Sequence, residues 1–174
     1  QFAHLPQAVE AEFQTDCDTF QTGFEQRVTI LSFGCGSCEE TNYCVPENFD
    51  NGTEWIGAVN IGDIVTNESG PEPEGYTSFG KLTEQAFVRG GVYPVTLTPA
   101  SAADDTEEEE FRIYVDWDQN GSFSSSEIAL EIESVTGEPV VGLITIPEDA
   151  DLLLTRMRVM MQFRGVRGGA CPAI

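Results

Sequence analysis

The sequence predicts an all-β fold: an antiparallel β-sandwich, jelly-roll-like, preceded by an N-terminal arm. Three observations predict it. Apolar residues alternate with period two in several short runs, turn-forming residues gather between those runs, and no run of 12 or more residues after residue 40 reads convincingly as a helix. The 17 glycines and 9 prolines mostly punctuate the gaps.

Residues 1–40 differ from the rest and form the arm. They hold three of the five cysteines, a short helical stretch around Pro6 to Phe13, and a strand-like run from Arg27 to Phe33. The main body begins at Tyr43. Its first strand fits Glu54 to Ile61. In the next, Tyr93, Val95 and Leu97 face one way while Val92, Thr96 and Thr98 face the other. The same alternation runs through Phe111, Ile113, Val115 and Trp117, and through Met157, Val159, Met161 and Phe163. Further strands fit Ile128 to Glu133 and Val140 to Ile146. With 174 residues there is material for one good-sized core, so the chain divides into an arm, 1–40, and one domain, 43–174.

Charge narrows the function. Thirty Asp and Glu face eight Lys and Arg, a formal charge of -22, and only Lys81 is a lysine. A field of that sign repels nucleic acid and anionic lipid and attracts cations, although solubility in a crowded or saline setting would also account for it. No stretch of 18 apolar residues occurs, so no transmembrane helix is expected. The start at Gln1, without an initiator Met, reads as a mature protein or an excised fragment. Cys35-Gly-Ser-Cys38 has no second Cys pair or His pair to complete a zinc set, and the sole histidine is His4. Disulfides in an oxidising compartment are the expectation, hence an extracellular or cell-surface location. With Cys17, Cys35, Cys38, Cys44 and Cys171, one thiol is left free or pairs with another chain.

The strongest chemical signal is Asp116-Trp-Asp118-Gln-Asn120-Gly121-Ser122-Phe-Ser124-Ser-Ser-Glu127. It carries the spacing of an EF-hand loop, D-x-[DN]-x-[DN]-G with an acid at the twelfth position. Calcium takes six to eight hard oxygens, so a chain that wraps it must present oxygens at alternate positions. Asp116, Asp118 and Asn120 offer side-chain oxygens, Ser122 its carbonyl, Ser124 a direct or water-mediated contact, and Glu127 both carboxylate oxygens. Gly121 permits the sharp turn. The alternative is a metal-free Asp-Asn-Gly turn, but agreement at positions 1, 3, 5, 6 and 12 favours Ca2+. Because Phe111 to Trp117 reads as a strand, the loop sits between strands and lacks an EF-hand's helices. The nearby acidic run Asp104 to Glu110 reads as a solvated loop, with Glu110 the member placed to help a neighbouring metal.

From Tyr43 onward the chain resembles the GEVED domain, a module of secreted and surface-anchored microbial proteins. The resemblance rests on Tyr43-Cys44, Glu54-Trp55-Ile56, Ile61-Gly62-Asp63-Ile64 with Asn67, and Gly75-Tyr76-Thr77-Ser78-Phe79. It continues through Asp116 to Phe123, Thr145-Ile146-Pro147, Thr155-Arg156-Met157-Arg158-Val159 and Cys171-Pro172, about 130 residues in order. It implies a β-sandwich, a calcium site and a Cys44–Cys171 disulfide. A bridge enclosing so long a loop would stabilise by roughly 4–5 kcal/mol on loop-closure estimates. The family's naming segment, Gly-Glu-Val-Glu-Asp-Tyr and a strand, should follow the second cysteine, whereas the sequence stops at Ile174. Either the fragment is truncated there or another segment fills the slot; in the second case the arm completes the sheet, with residues 27–33 adding as a strand in cis or from a neighbouring copy. Addition from a neighbouring copy is self-association, and head-to-tail addition would build a filament.

Catalysis is not expected. A Ser-His-Asp or Cys-His arrangement needs a histidine near the nucleophile, and His4 lies in the arm. A non-catalytic structural module is the leading expectation. A recognition domain for adhesion, taking a glycan or protein ligand, is the alternative. Trp55, Trp117 and Tyr76 are the aromatic candidates for that role, against ordinary core packing. Asn51 and Asn67 begin sequons placed for glycosylation on surface loops, and a third sequon at Asn120 conflicts with metal binding.

Overall fold

The computed structural model describes residues 27–30, 43–44, 54–62, 65–68, 70–71, 85–102, 108–134, 137–163 and 168–170, with backbone alone at 27–30, 65–68, 85–86 and 153–154. Among them are ten strands: β1 Arg27–Ile30, β2 Glu54–Ile61, β3 Val65–Glu68, β4 Gln85–Val88, β5 Val92–Ser101, β6 Glu109–Val115, β7 Ile128–Ser134, β8 Val140–Thr145, β9 Leu153–Thr155 and β10 Met157–Phe163. The only helical turn among the described residues is a short 3-10 segment, Ser125–Glu127. The fold is all-β, as the alternation and turn chemistry require.

Two antiparallel sheets face each other. One has the order β3-β2-β5-β8 and the other β10-β6-β7. The alternation explains which faces meet. Val59 and Ile61 of β2, Val95 and Leu97 of β5, and Ile144 of β8 share a single buried cluster with Phe111, Ile113 and Val115 of β6. Met157, Val159 and Met161 of β10 pack against it, while Phe163 at the strand's end is exposed. Interleaved apolar faces of two sheets are what make a sandwich core. A third set, β4-β1-β9, places β1 antiparallel to β4 and parallel to β9 of its own chain.

The β2–β5 ladder slips between Ile56 and Ala58. At that bulge a Cβ on Gly57 would stand 2.9 Å from Ala100 Cβ, so the backbones approach too closely for any larger residue. A second slip, between Ile113 and Tyr114, sits near the far end of β6, next to the aspartate-rich loop.

The strands expected at Glu54, Ile128, Val140 and Met157 stand where the pattern put them. Three were not foreseen. β3, β4 and β9 have four residues or fewer, too few to display a period. β6 stops at Val115, because Asp116 begins the loop, although Trp117 beyond it remains buried in the core. That burial gives Trp117 a packing role. Asn67 lies in β3, an edge strand, where a surface loop was expected. The stretch Pro6 to Phe13, Cys17, Cys35, Cys38, Asn51, Tyr76 and Cys171 lie outside the described residues.

Candidate metal centre

β6 delivers Asp116 from the middle of its sheet into the loop, and the 3-10 turn returns Glu127 beside it just before β7 begins. The β6–β7 pairing thus brings two acids eleven residues apart to one point. Asp116, Asp118 and Glu127 each present an oxygen within 4.8 Å of the others. Asp116 is fully buried and Glu127 is 3% exposed, whereas Asp118 is open to solvent.

The loop backbone is fixed by these side chains. Asp116 accepts from the amides of Asn120 at 3.1 Å and Gly121 at 3.0 Å, and also from the Tyr43 hydroxyl. Asp118 accepts from the Asn120 amide at 3.2 Å and from Asn120 Nδ2 at 2.8 Å. Glu127 takes the Trp117 amide on one oxygen at 3.1 Å and the Ser124 amide on the other at 2.7 Å. Gly121 has φ +81°, the left-handed conformation that the sharp turn demands. A second segment braces the loop from outside. The Asp116 amide donates to Arg156 O, the Asp116 carbonyl accepts from Thr155 Oγ1, Asp151 N donates to Trp117 O, and Gln119 Nε2 donates to Leu152 O.

The electrostatics are unbalanced. Arg112 forms ion pairs with Glu110 and Glu131, while the three loop acids crowd one point. Burial pushes the Glu127 carboxyl above the usual glutamate range; hydrogen bonds from Ser124 oppose that, and the charges of Asp116 and Asp118 add to it. Asp118 moves the other way. Desolvation works to raise it, but hydrogen bonds with Asn120, Asp116 and Glu127 together hold it below the ordinary aspartate range. Two carboxylates at such a separation repel by about 3 kcal/mol at an effective dielectric constant near 20.

The donor set fits a hard cation. Two oxygens bound to one Ca2+ at about 2.3–2.6 Å lie no more than about 5 Å apart, and the three acids meet that limit at 4.8 Å. Their amide hydrogen bonds leave lone pairs over, since a carboxylate offers about four acceptor positions. Asn120 Oδ1 accepts from Ser122 N at 2.8 Å and Ser122 Oγ at 2.5 Å, the local turn expected of an Asx residue. Ser124 engages Glu127 through its amide and Ser126 through its hydroxyl. Glu110 is turned away, its Oε1 3.4 Å from Arg112 NH2 on the outer face of β6.

Sequence reasoning missed what surrounds the loop. Tyr43, 73 residues from Asp116, bonds to its carboxylate and packs its ring 5.0 Å from that of Phe123 in the loop. Arg156 lies 4.4 Å over the other partner of that stack, Tyr43. Arg158, 7% exposed on the outward face of β10, donates to Cys44 O and Ala170 O, each at 2.6 Å, and stands 4.9 Å over Phe123. Contacts this remote leave no periodic trace; only the Tyr43-Cys44 pair and the Thr155 to Val159 run, noted in the resemblance, pointed toward them.

Comparison with known proteins bears on the segment that builds this site. The family model of the GEVED domain matches residues 110–172, which hold β6 from its second residue, the whole aspartate-rich loop and β7 to β10. No curated protein and no solved structure matches the chain. The resemblance read from Tyr43 onward is thus supported over its C-terminal part, residues 110–172, where the chain is similar to the GEVED domain.

Proposed function

We propose that this chain is a non-catalytic extracellular module whose sandwich is braced by Ca2+ held on Asp116, Asp118 and Glu127, with Asn120, Ser122 and Ser124 completing the shell. One observation carries the reading: two buried carboxylates and a third, mutually repelling, present oxygens within 4.8 Å of one another. A divalent cation converts that repulsion into attraction. The flanking elements are strands, so the loop has no helix pair to open, and the expected role is a static brace at the end of β6.

The resulting expectation is large enough to measure. Calcium at about 100 times its Kd stabilises a protein by about 2.7 kcal/mol, or roughly 5–10 °C in Tm for a chain of this size. Differential scanning calorimetry should therefore show that fall on adding EGTA, and Asp118→Ala should remove the response while leaving the all-β circular dichroism intact. A Tm indifferent to chelator, with no calcium bound on isothermal titration, would sink the proposal.

Disulfide closure of the domain belongs to the same reading. Cys44 is disulfide-bonded, and Arg158 holds its carbonyl and that of Ala170, the residue before Cys171, on one guanidinium. That geometry supports Cys44–Cys171 as the bridge.

Self-association through residues 27–33 is a further part of the proposal. β1 pairs with β4 and β9 within one chain, and the same two ladders made by a neighbouring copy would join chains end to end. Light scattering should show deletion of residues 1–40 reducing any assembly to monomers. Particles of unchanged size would count against a role for the arm.

A further inference from the structure

We infer that the metal loop and the Cys44 disulfide form one thermodynamic unit joined through Tyr43, so that calcium on the loop protects that disulfide from reduction by dithiols. The inference rests on the calcium reading above and adds a regulation that the loop motif does not imply.

Two sets of contacts join the loop to Cys44. In the first, the Tyr43 hydroxyl donates to Asp116 Oδ2, and Tyr43 is covalently joined to Cys44. Its ring is held between Phe123 of the loop, 5.0 Å away, and the Arg156 guanidinium, 4.4 Å away. In the second, Arg158 lies 4.9 Å over Phe123 and donates to Cys44 Sγ at 3.1 Å and Cys44 O at 2.6 Å. The same guanidinium holds Ala170 O at 2.6 Å. The loop, the start of the domain and its end therefore share one small cluster of side chains.

The direction of the coupling follows. A cation fixes Asp116 and the loop that carries Phe123, and so fixes the two surfaces against which Tyr43 rests. Reduction acts from the other side. A dithiol gives two electrons and two protons, the S–S bond breaks to two thiols, and the reductant closes to a cyclic disulfide. Cys44 then loses its covalent tie to its disulfide partner, and Tyr43 spends less time on Asp116. Whatever factor reduction removes from calcium affinity, calcium must remove from the equilibrium constant for reduction, because binding linkage is reciprocal.

The test uses the full chain. Cys44 is titrated against ratios of reduced to oxidised dithiothreitol, with saturating calcium or with EGTA, and followed by alkylation and peptide mass spectrometry. The ratio needed for half-reduction should rise about tenfold with calcium, within the usual range of allosteric coupling. Tyr43→Phe keeps the ring and the disulfide but loses the hydroxyl. Its calcium affinity should fall about tenfold, as for other partners behind a metal ligand, and its calcium-dependent redox shift should shrink. Identical half-reduction ratios with and without calcium, in a protein that does bind calcium, would overturn this inference and leave the calcium reading standing. No calcium binding by the oxidised protein would overturn both. The redox comparison on the unmodified chain decides the matter even where Tyr43→Phe fails to fold.

Discussion

Asp116→Ala should cost about 3 kcal/mol in calcium and lower calcium affinity by about 100-fold or more. Asp116 is fully buried, and its carboxylate accepts from Asn120 N, Gly121 N and the Tyr43 hydroxyl. Asn120 N keeps its second acceptor on Asp118, but a buried donor left without a partner costs about 1–3 kcal/mol. Removing a buried charge offsets part of that, so the net loss is smaller than the sum. Asp116→Asn separates the two contributions. It keeps one acceptor oxygen and nearly the same shape, so it should lose the calcium response yet retain more stability than Asp116→Ala in EGTA. Urea unfolding of both variants, with calcium and with EGTA, provides the four numbers. Equal stability of Asp116→Ala and the unaltered chain in EGTA would show that the carboxylate does not organise the loop in the absence of metal.

Phe111→Ala should be at least as damaging to the fold and nearly silent at the metal. Phe111 is fully buried in the central strand of β10-β6-β7, opposite Ile132 on one side and Met161 on the other. Truncating a buried phenylalanine removes its transfer energy and leaves a cavity, typically about 3–5 kcal/mol. For a domain of this size that is roughly 10 °C or more in Tm. Phe111 stands five positions before Asp116 on an extended strand, about 16 Å away. Calcium affinity of the folded fraction should therefore change by no more than about threefold, as expected of sites without shared partners. A loss of affinity matching the loss of stability would mean that core packing sets the loop's geometry.

Together these variants separate scaffold from site. β6 serves both: its inward residues Phe111, Ile113 and Val115 fill the core, and its last step places Asp116 at the sandwich end. The loop is accordingly built onto the end of a core strand, which suits the proposed brace. Tyr43, Thr155 and the residues from Asp151 to Arg156 then hold it from outside.

Much of this was legible in the residues. The alternation from Tyr93 to Leu97 and from Phe111 to Val115 fixed which side chains face inward, because a strand repeats every two residues whatever its partners. The clustering of Asp116, Asp118 and Glu127 was legible for a similar reason: a loop of fixed spacing with glycine at its sixth position turns those acids toward one point. Short strands such as β9 left no such trace, because three residues cannot display a period. Arg158 was hidden by the same alternation, since it lies on the face opposite Met157 and Val159 and reads as solvent-exposed. In fact it is buried beneath Cys44, Ala170 and Phe123.

By itself, then, the sequence determined the all-β class, the inward faces and the convergence of Asp116, Asp118 and Glu127, all of which depend on neighbours within about a dozen residues. The tertiary structure alone decided what stands around that loop. Tyr43 on Asp116, and Arg158 between Cys44 and Ala170, join positions 73, 114 and 12 residues apart. Such pairs are selected by the packing of one sheet on another and of the chain's ends on both, and no local spacing encodes them.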